Sequence, residues 1–170
     1  MSTIDPADPL PPALPRALDA ALDERQGDAP AVLRGEGWSA EVQVREAGPI
    51  GVVVDRLRLE GQAGDLRQRS EAVVAALRPQ GERLHTVELD LALGGAVLRS
   101  IPQDMRRGRF FQVDLDATGL ELHRHARSRA GGRSAEPFAL TRDELGRIIE
   151  DIGQIMAGGE IRDGDRDTVR

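Results

Sequence analysis

His123 and His125 stand one residue apart, with Glu121 two before them. In a strand these three would share one face, a spacing that two metal ligands can use. Glu88 and Asp90, and again Asp114 and Asp116, repeat the same interval in two other stretches. Carboxylates held at a controlled distance are the equipment of glycosidases and metal-assisted hydrolases. A pocket lined by His123, His125 and Asp114 would therefore make the chain a small-ligand or metal-binding protein, or a hydrolase. The surrounding residues weigh against that chemistry. Arg124 and Arg127 interleave with the histidines and would repel a cation, and at 2% aromatic content no walls are available for a cleft. Polar side chains alternating with apolar ones are the ordinary wet face of an antiparallel sheet. The expectation is a solvated face with no catalytic residue and no cofactor, on which His123 and His125 are the only metal candidates.

Other catalytic classes fall on composition. The chain has no cysteine, which removes thiolate nucleophiles, disulfides and Cys-based metal sites. Its 23 basic residues are all arginine, so a phosphate-binding loop ending in Gly-Lys-Ser/Thr cannot exist. Ser39, Ser70, Ser100, Ser128 and Ser134 sit in no nucleophile-elbow context. A formal charge of −6 and a pI near 5.1, with few aromatics for stacking, argue against nucleic acid and anionic membranes as partners. No apolar run approaches the ~20 residues of a membrane span. The start has neither a basic region nor an apolar core of the secretory type, and the expected location is the cytoplasm.

The elements that would position these residues follow from periodicity. With 39% apolar residues in a chain of 170, a single aliphatic core is expected over residues 13–157. A proline-rich leader (1–12) and a charged tail (158–170) are expected to be disordered on either side of it. The longest alternation runs over 84–127 and reads as two hairpins. In the first, Val87, Leu89, Leu91 and Leu93 point inward, and a Gly94-Gly95 turn sets Asp90 opposite Arg99. In the second, Phe111, Val113 and Leu115 point inward, and a turn at Thr118-Gly119 places Asp114 near His123. Earlier strands cover 31–34, 38–45 and 50–59. In the last of these, Ile50, Val52 and Val54 are out of phase with Leu57 and Leu59, which calls for a bulge at Asp55-Arg56. Helices are expected over 15–25, from Asp65 to about Arg78, and from a capping box at Thr141/Glu144 onward. Residues 128–135 read as a loose basic loop. The fold class is α+β: an antiparallel, mostly meander sheet of five to seven strands with helices on one face.

Three apolar side chains, Val97, Ile101 and Phe110, fall on the polar phase of their strands. Apolar residues on a wet face mark a partner surface or a second covering layer. Arg107 and Arg109 lie beside them in a locally basic region that also includes Arg106, Arg124, Arg127, Arg129 and Arg133. These five, Val97, Ile101, Phe110, Arg107 and Arg109, are the partner-binding candidates. The partner is expected to be a protein or a second copy of the chain.

In element order, size and acidity, residues 14–157 resemble the type III secretion chaperone-like fold, and Leu93–Ala96 (Leu-Gly-Gly-Ala) is similar to a Gly-Gly-Ala found after the second helix of some of those chaperones. The resemblance implies a small cytosolic α+β protein, usually dimeric, that binds an extended segment of a partner without catalysis. It assigns no individual functional residue.

Overall fold

The computed structural model describes residues 13–102 and 108–158; the leader, residues 103–107 with Arg106 and Arg107, and the tail from 159 lie outside the described residues. Three α-helices, α1 (Leu14–Glu24), α2 (Leu66–Ala76) and α3 (Arg142–Met156), cover one face of a nine-stranded sheet. The strands are β1 (Ala31–Gly35), β2 (Trp38–Ala47), β3 (Gly51–Gly61), β4 (Leu84–Asp90), β5 (Gly95–Ser100), β6 (Arg109–Asp116), β7 (Gly119–Arg127), β8 (Arg133–Glu136) and β9 (Phe138–Thr141). The α+β class and the order helix, strands, helix, strands, helix are as expected. Nine strands stand where five to seven were expected, because β8 and β9 arise in a stretch without alternation.

The sheet order β1-β2-β3-β7-β6-β5-β4 shows how the chain is laid down. β1 to β3 form a meander. The chain then crosses the sheet through α2 to the far edge and meanders back from β4 until β7 lies beside β3. All pairings are antiparallel. The expected bulge in β3 is present: Gln43 pairs with Arg56 and Val44 with Val54, leaving Asp55 as the extra residue. Val52, Val54, Leu57 and Leu59 are consequently all buried. A second irregularity follows at Arg45, and the two displaced residues meet in an ion pair at 2.8 Å.

β3 also changes partner at this bend. Its residues 51–54 pair with β9, and its residues 57–60 pair with β7. β7 in turn leaves β3 and pairs through residues 124–127 with β8. β8 and β9 thus fill the gap between two diverging strands, with Pro137 at the corner between them, where no ladder N–H is required.

Helix boundaries follow their local signals. Asp65 caps α2 by accepting the N–H of Gln68 at 2.8 Å. Thr141 and Glu144 form the reciprocal capping box of α3. Leu145, Ile149, Ile152, Ile155 and Met156 bury the inner stripe of that helix. Arg142 binds Asp19 at 2.7 Å and Asp23 at 3.1 Å, which anchors α1 against α3. Trp38 lies flat against two backbones: a methyl group at Gly153 would sit 2.8 Å from the indole, and one at Gly35 still closer.

The first hairpin of the 84–127 stretch differs from its expected form. Val87 is the extra residue of a bulge in β4, and β4 ends at Asp90. The Asp90 carboxylate accepts the N–H groups of Ala92 and Leu93, which makes residues 91–94 a turn. Asp90 therefore faces Gly95, not Arg99, and Leu89 faces Ala96. Only Leu89 of the four expected inward residues packs on the core; Val87, Leu91 and Leu93 are exposed.

The packing of α3 supplies a paired prediction. Gly153→Ala gains about 1 kcal/mol of intrinsic helix propensity, but its methyl group meets the indole of Trp38. Urea denaturation is expected to show a net loss of about 1–2 kcal/mol from this overpacking. At Gly146 the new methyl would lie 3.7 Å from Leu18 Cδ2, an ordinary contact. Gly146→Ala is expected to be neutral or to stabilise by up to about 1 kcal/mol.

Candidate functional site

The face of the sheet turned away from the helices is built from alternate residues of β4 to β8. The register of β6 and β7 is set by Asp116, whose carboxylate accepts the N–H groups of Thr118 and Gly119 and the Thr118 hydroxyl. Burial pushes the Asp116 carboxyl up, yet these donors outweigh it and leave its pKa below the ordinary value. The resulting two-residue turn pairs Asp114 with Glu121, Gln112 with His123 and Phe110 with His125. His123 is thus one diagonal step from Asp114, but its Nε2 still reaches the carboxylate at 3.3 Å, and Nδ1 lies 3.7 Å from Glu121. His123 and His125 meet edge to face with ring centroids 4.5 Å apart. The expected Asp114–His123 contact therefore forms through a different register. Among the described residues no group of three His, Asp or Glu side chains has metal-binding geometry.

The five partner-binding candidates separate. Val97 is half-buried on this face, beside Glu88 and Asp114. Ile101 is exposed at the end of β5. Arg109 lies on the opposite phase, paired with Glu136 at 3.0 Å. Arg107 lies outside the described residues. Phe110 is the unexpected case: it stands on the helix-free face but is only 5% exposed.

Arginines cover Phe110. The guanidinium carbons of Arg99, Arg133 and Arg127 lie 5.5, 5.7 and 6.0 Å from its ring centroid, and His125 stacks obliquely at 5.7 Å. Arg127 is directly opposite Arg133 in the β7–β8 ladder, an unfavourable like-charge pairing. Among the described residues no carboxylate lies within ion-pair distance of these three guanidiniums. Among the described residues Arg99 donates only to the amide oxygen of Gln112, at 3.0 Å. Its pKa is lowered first by burial and then by Arg133 and Arg127. Cation–π attraction at partly exposed sites contributes about 0.5–1 kcal/mol per contact, and repulsion between guanidiniums ~10 Å apart is of the same order. The cluster is therefore close to neutral for stability, and an anion placed among the guanidiniums would change that balance.

The face is polar along the strand direction. Four residues from Phe110 on β6, about 13 Å at strand rise, Asp114 begins an acidic end with Glu88, Asp116 and Glu121. It lines a shallow depression of about 410 Å³ in which Arg58 is the only cation among the described residues. Sequence reasoning identified the basic region and Phe110 but missed Arg99 as part of the cluster. Arg99 was expected opposite Asp90; the longer turn at 91–94 sets it opposite His85 and Gln112 instead, within reach of Phe110.

No described helix is long and apolar enough to cross a membrane. Comparison with known proteins yields no match: no family model, no curated protein and no solved structure is similar to this chain.

His125 carries the pH dependence of the site. Burial is the largest cause that lowers its pKa, followed by His123; Arg133 and Arg99 add to the effect and Asp114 opposes it. Its Nδ1 is buried without a hydrogen-bond partner among the described residues. The unfolded chain therefore takes up this proton first as pH falls below about 6.5, and stability is lost on acidification. Urea midpoints are expected to fall between pH 7.5 and pH 5.5, and the slope is expected to flatten in His125→Gln.

Proposed function

We propose that the chain is a non-catalytic, chaperone-like protein-binding module that receives an extended partner segment on the helix-free face of its sheet. The observation that carries this reading is the Phe110 cluster. One of only three phenylalanines in the chain lies on the helix-free face under three arginines that have no carboxylate partner among the described residues. Aromatic and arginine side chains that share a patch are the usual anchors of protein recognition. The resemblance in element order to secretion chaperones supports the same reading. So does the weakness of the competing chemistry, since Asp114, His123 and His125 meet on an open surface rather than in a cleft.

The module acts as a dimer in this reading, through the edge hairpin of β4 and β5. Val87, Leu91, Leu93 and Ile101 are exposed on or next to that hairpin, at the unpaired end of the sheet. Exposed apolar side chains grouped on a sheet edge mark an association surface.

Two measurements test the two parts. Selection of displayed random peptides on the wild-type protein is expected to enrich sequences that bind it and lose affinity for the Arg99→Ser/Arg133→Ser variant. Failure to enrich any sequence, or equal binding to both proteins, would remove the open face as the binding surface. Sedimentation velocity is expected to show a dimer that becomes a monomer in Leu91→Ser/Leu93→Ser. A wild-type monomer across the micromolar range would remove the dimer.

A further inference from the structure

We infer, building on the protein-binding reading above, that the arginine cluster over Phe110 is a seat for the carboxylates of an acidic partner segment, and that the face accepts such a segment only when its acidic residues are confined to one end. Three features support the seat. Arg99, Arg127 and Arg133 converge on one ring, so no two of their guanidiniums are more than about 12 Å apart. Two of them oppose each other directly in the ladder. Beneath them the buried His125 Nδ1 has no hydrogen-bond partner among the described residues. Guanidiniums present paired donors in the geometry of a carboxylate. An acidic side chain laid over Phe110 would relieve the repulsion that Arg99 receives from its neighbours.

Charge complementarity then sets the rest of the segment. A chain lying along the strands from the seat passes Gln112 and His123 and arrives over Asp114, Glu121 and Glu88. In an extended segment, residues two apart face the same way, so the residue about four positions from the acidic anchor stands over this acidic end. A glutamate there would be repelled, and an arginine or lysine would be attracted. The occupant is therefore an extended acidic-then-basic segment of a partner protein.

Fluorescence anisotropy with short labelled peptides of one length tests the inference. In the first peptide, glutamates are grouped at one end and arginines begin about four residues later. In the second, the same residues alternate, and a third peptide is wholly acidic. The first is expected to bind about tenfold more tightly than the other two. Arg133→Ser is expected to lose that advantage. Asp114→Asn, which preserves side-chain volume, is expected to narrow the gap between the first and third peptides. Equal binding of the first and second peptides, or unchanged binding to Arg133→Ser, overturns the inference. It is overturned equally if inorganic phosphate displaces the first peptide at matched charge concentration, the mark of an unselective anion site. Self-association that the first peptide does not disturb, but that Arg133→Ser abolishes, assigns the face to a second copy and overturns it too. Display-selected sequences that bind without a charged anchor would overturn the seat and leave the protein-binding reading standing. The absence of any selected sequence would remove both.

Discussion

The guanidinium of Arg69 ties together three segments of the chain by donating to a backbone carbonyl in each. From the inner side of α2 it donates to the carbonyls of Ala117 in the β6–β7 turn, of Gln62 after β3, and of Met156 at the end of α3, the last at 3.1 Å. Backbone bonds run alongside: Gly61 N–H to Thr118, Gln62 N–H to Met156 and Gly64 N–H to Ala117. The approach is close enough that glycine is required at both ends. A methyl group at Gly61 would collide with the Met156 carbonyl, and one at Gly64 would lie 2.7 Å from Arg69 Nε. Burial lowers the pKa of this arginine and nearby Asp116 opposes the shift, but a guanidinium stays charged throughout the physiological range. Each of its hydrogen bonds is charge-assisted, and removing the donor would take from the Gln62 carbonyl its one partner among the described residues, at a cost of about 1–3 kcal/mol, while the Ala117 and Met156 carbonyls keep their backbone donors.

The open face inherits its order from this junction. Arg69 fixes Ala117 and the backbone fixes Thr118, so the β6–β7 turn is pinned to the centre of the sheet. Slipping that hairpin by one residue would exchange its two faces, sending Leu120 and Leu122 to solvent and His123 and His125 into the core. The tie between α2 and the turn therefore maintains the placement of Phe110, His125 and Arg127 on the side away from the helices. Arg133 joins them because β3 bends at Asp55 and diverges from β7, which leaves a ladder position for β8.

Much of this architecture was legible in the chain, for identifiable reasons. Alternation in β2 and β3, including the phase slip at Asp55, records which residues must be buried. The capping box of α3 and the Asp65 cap of α2 are local bonds, and local bonds leave local signals. The errors arose where a distant or competing contact decided the outcome. Gly94-Gly95 has the composition of a two-residue turn, but Asp90 captured the N–H groups of Ala92 and Leu93 first and made a longer one. β8 and β9 have little periodicity of their own and form because two other strands leave unpaired edges. The candidate site was legible in part: Phe110 stood out of phase with its strand, and the basic region was evident. Its assembly with Arg99 needed a register that no single segment carries.

The two adjacent phenylalanines show what the sheet does with an aromatic on each face. Phe111 enters the core and meets Phe138 edge to face at 5.2 Å, a contact that stability alone explains. Phe110 is buried almost as fully on a face that no described helix covers, and long arginines cover it there. Covering the ring in this way concentrates positive charge in a protein whose net charge is −6. At physiological ionic strength screening acts over about 8 Å, which is less than the ~13 Å from Phe110 to the acidic end of the same strand. An anion close to the ring would therefore sense the arginines before the acidity of the whole chain. Its attraction is short-ranged, and a strongly acidic protein can in this way present one anion-seeking spot. The hydrophobic demand of a single phenyl ring on the helix-free face and the electrostatics of that spot have one origin, because the arginines cannot cover the ring without also converging their charges above it.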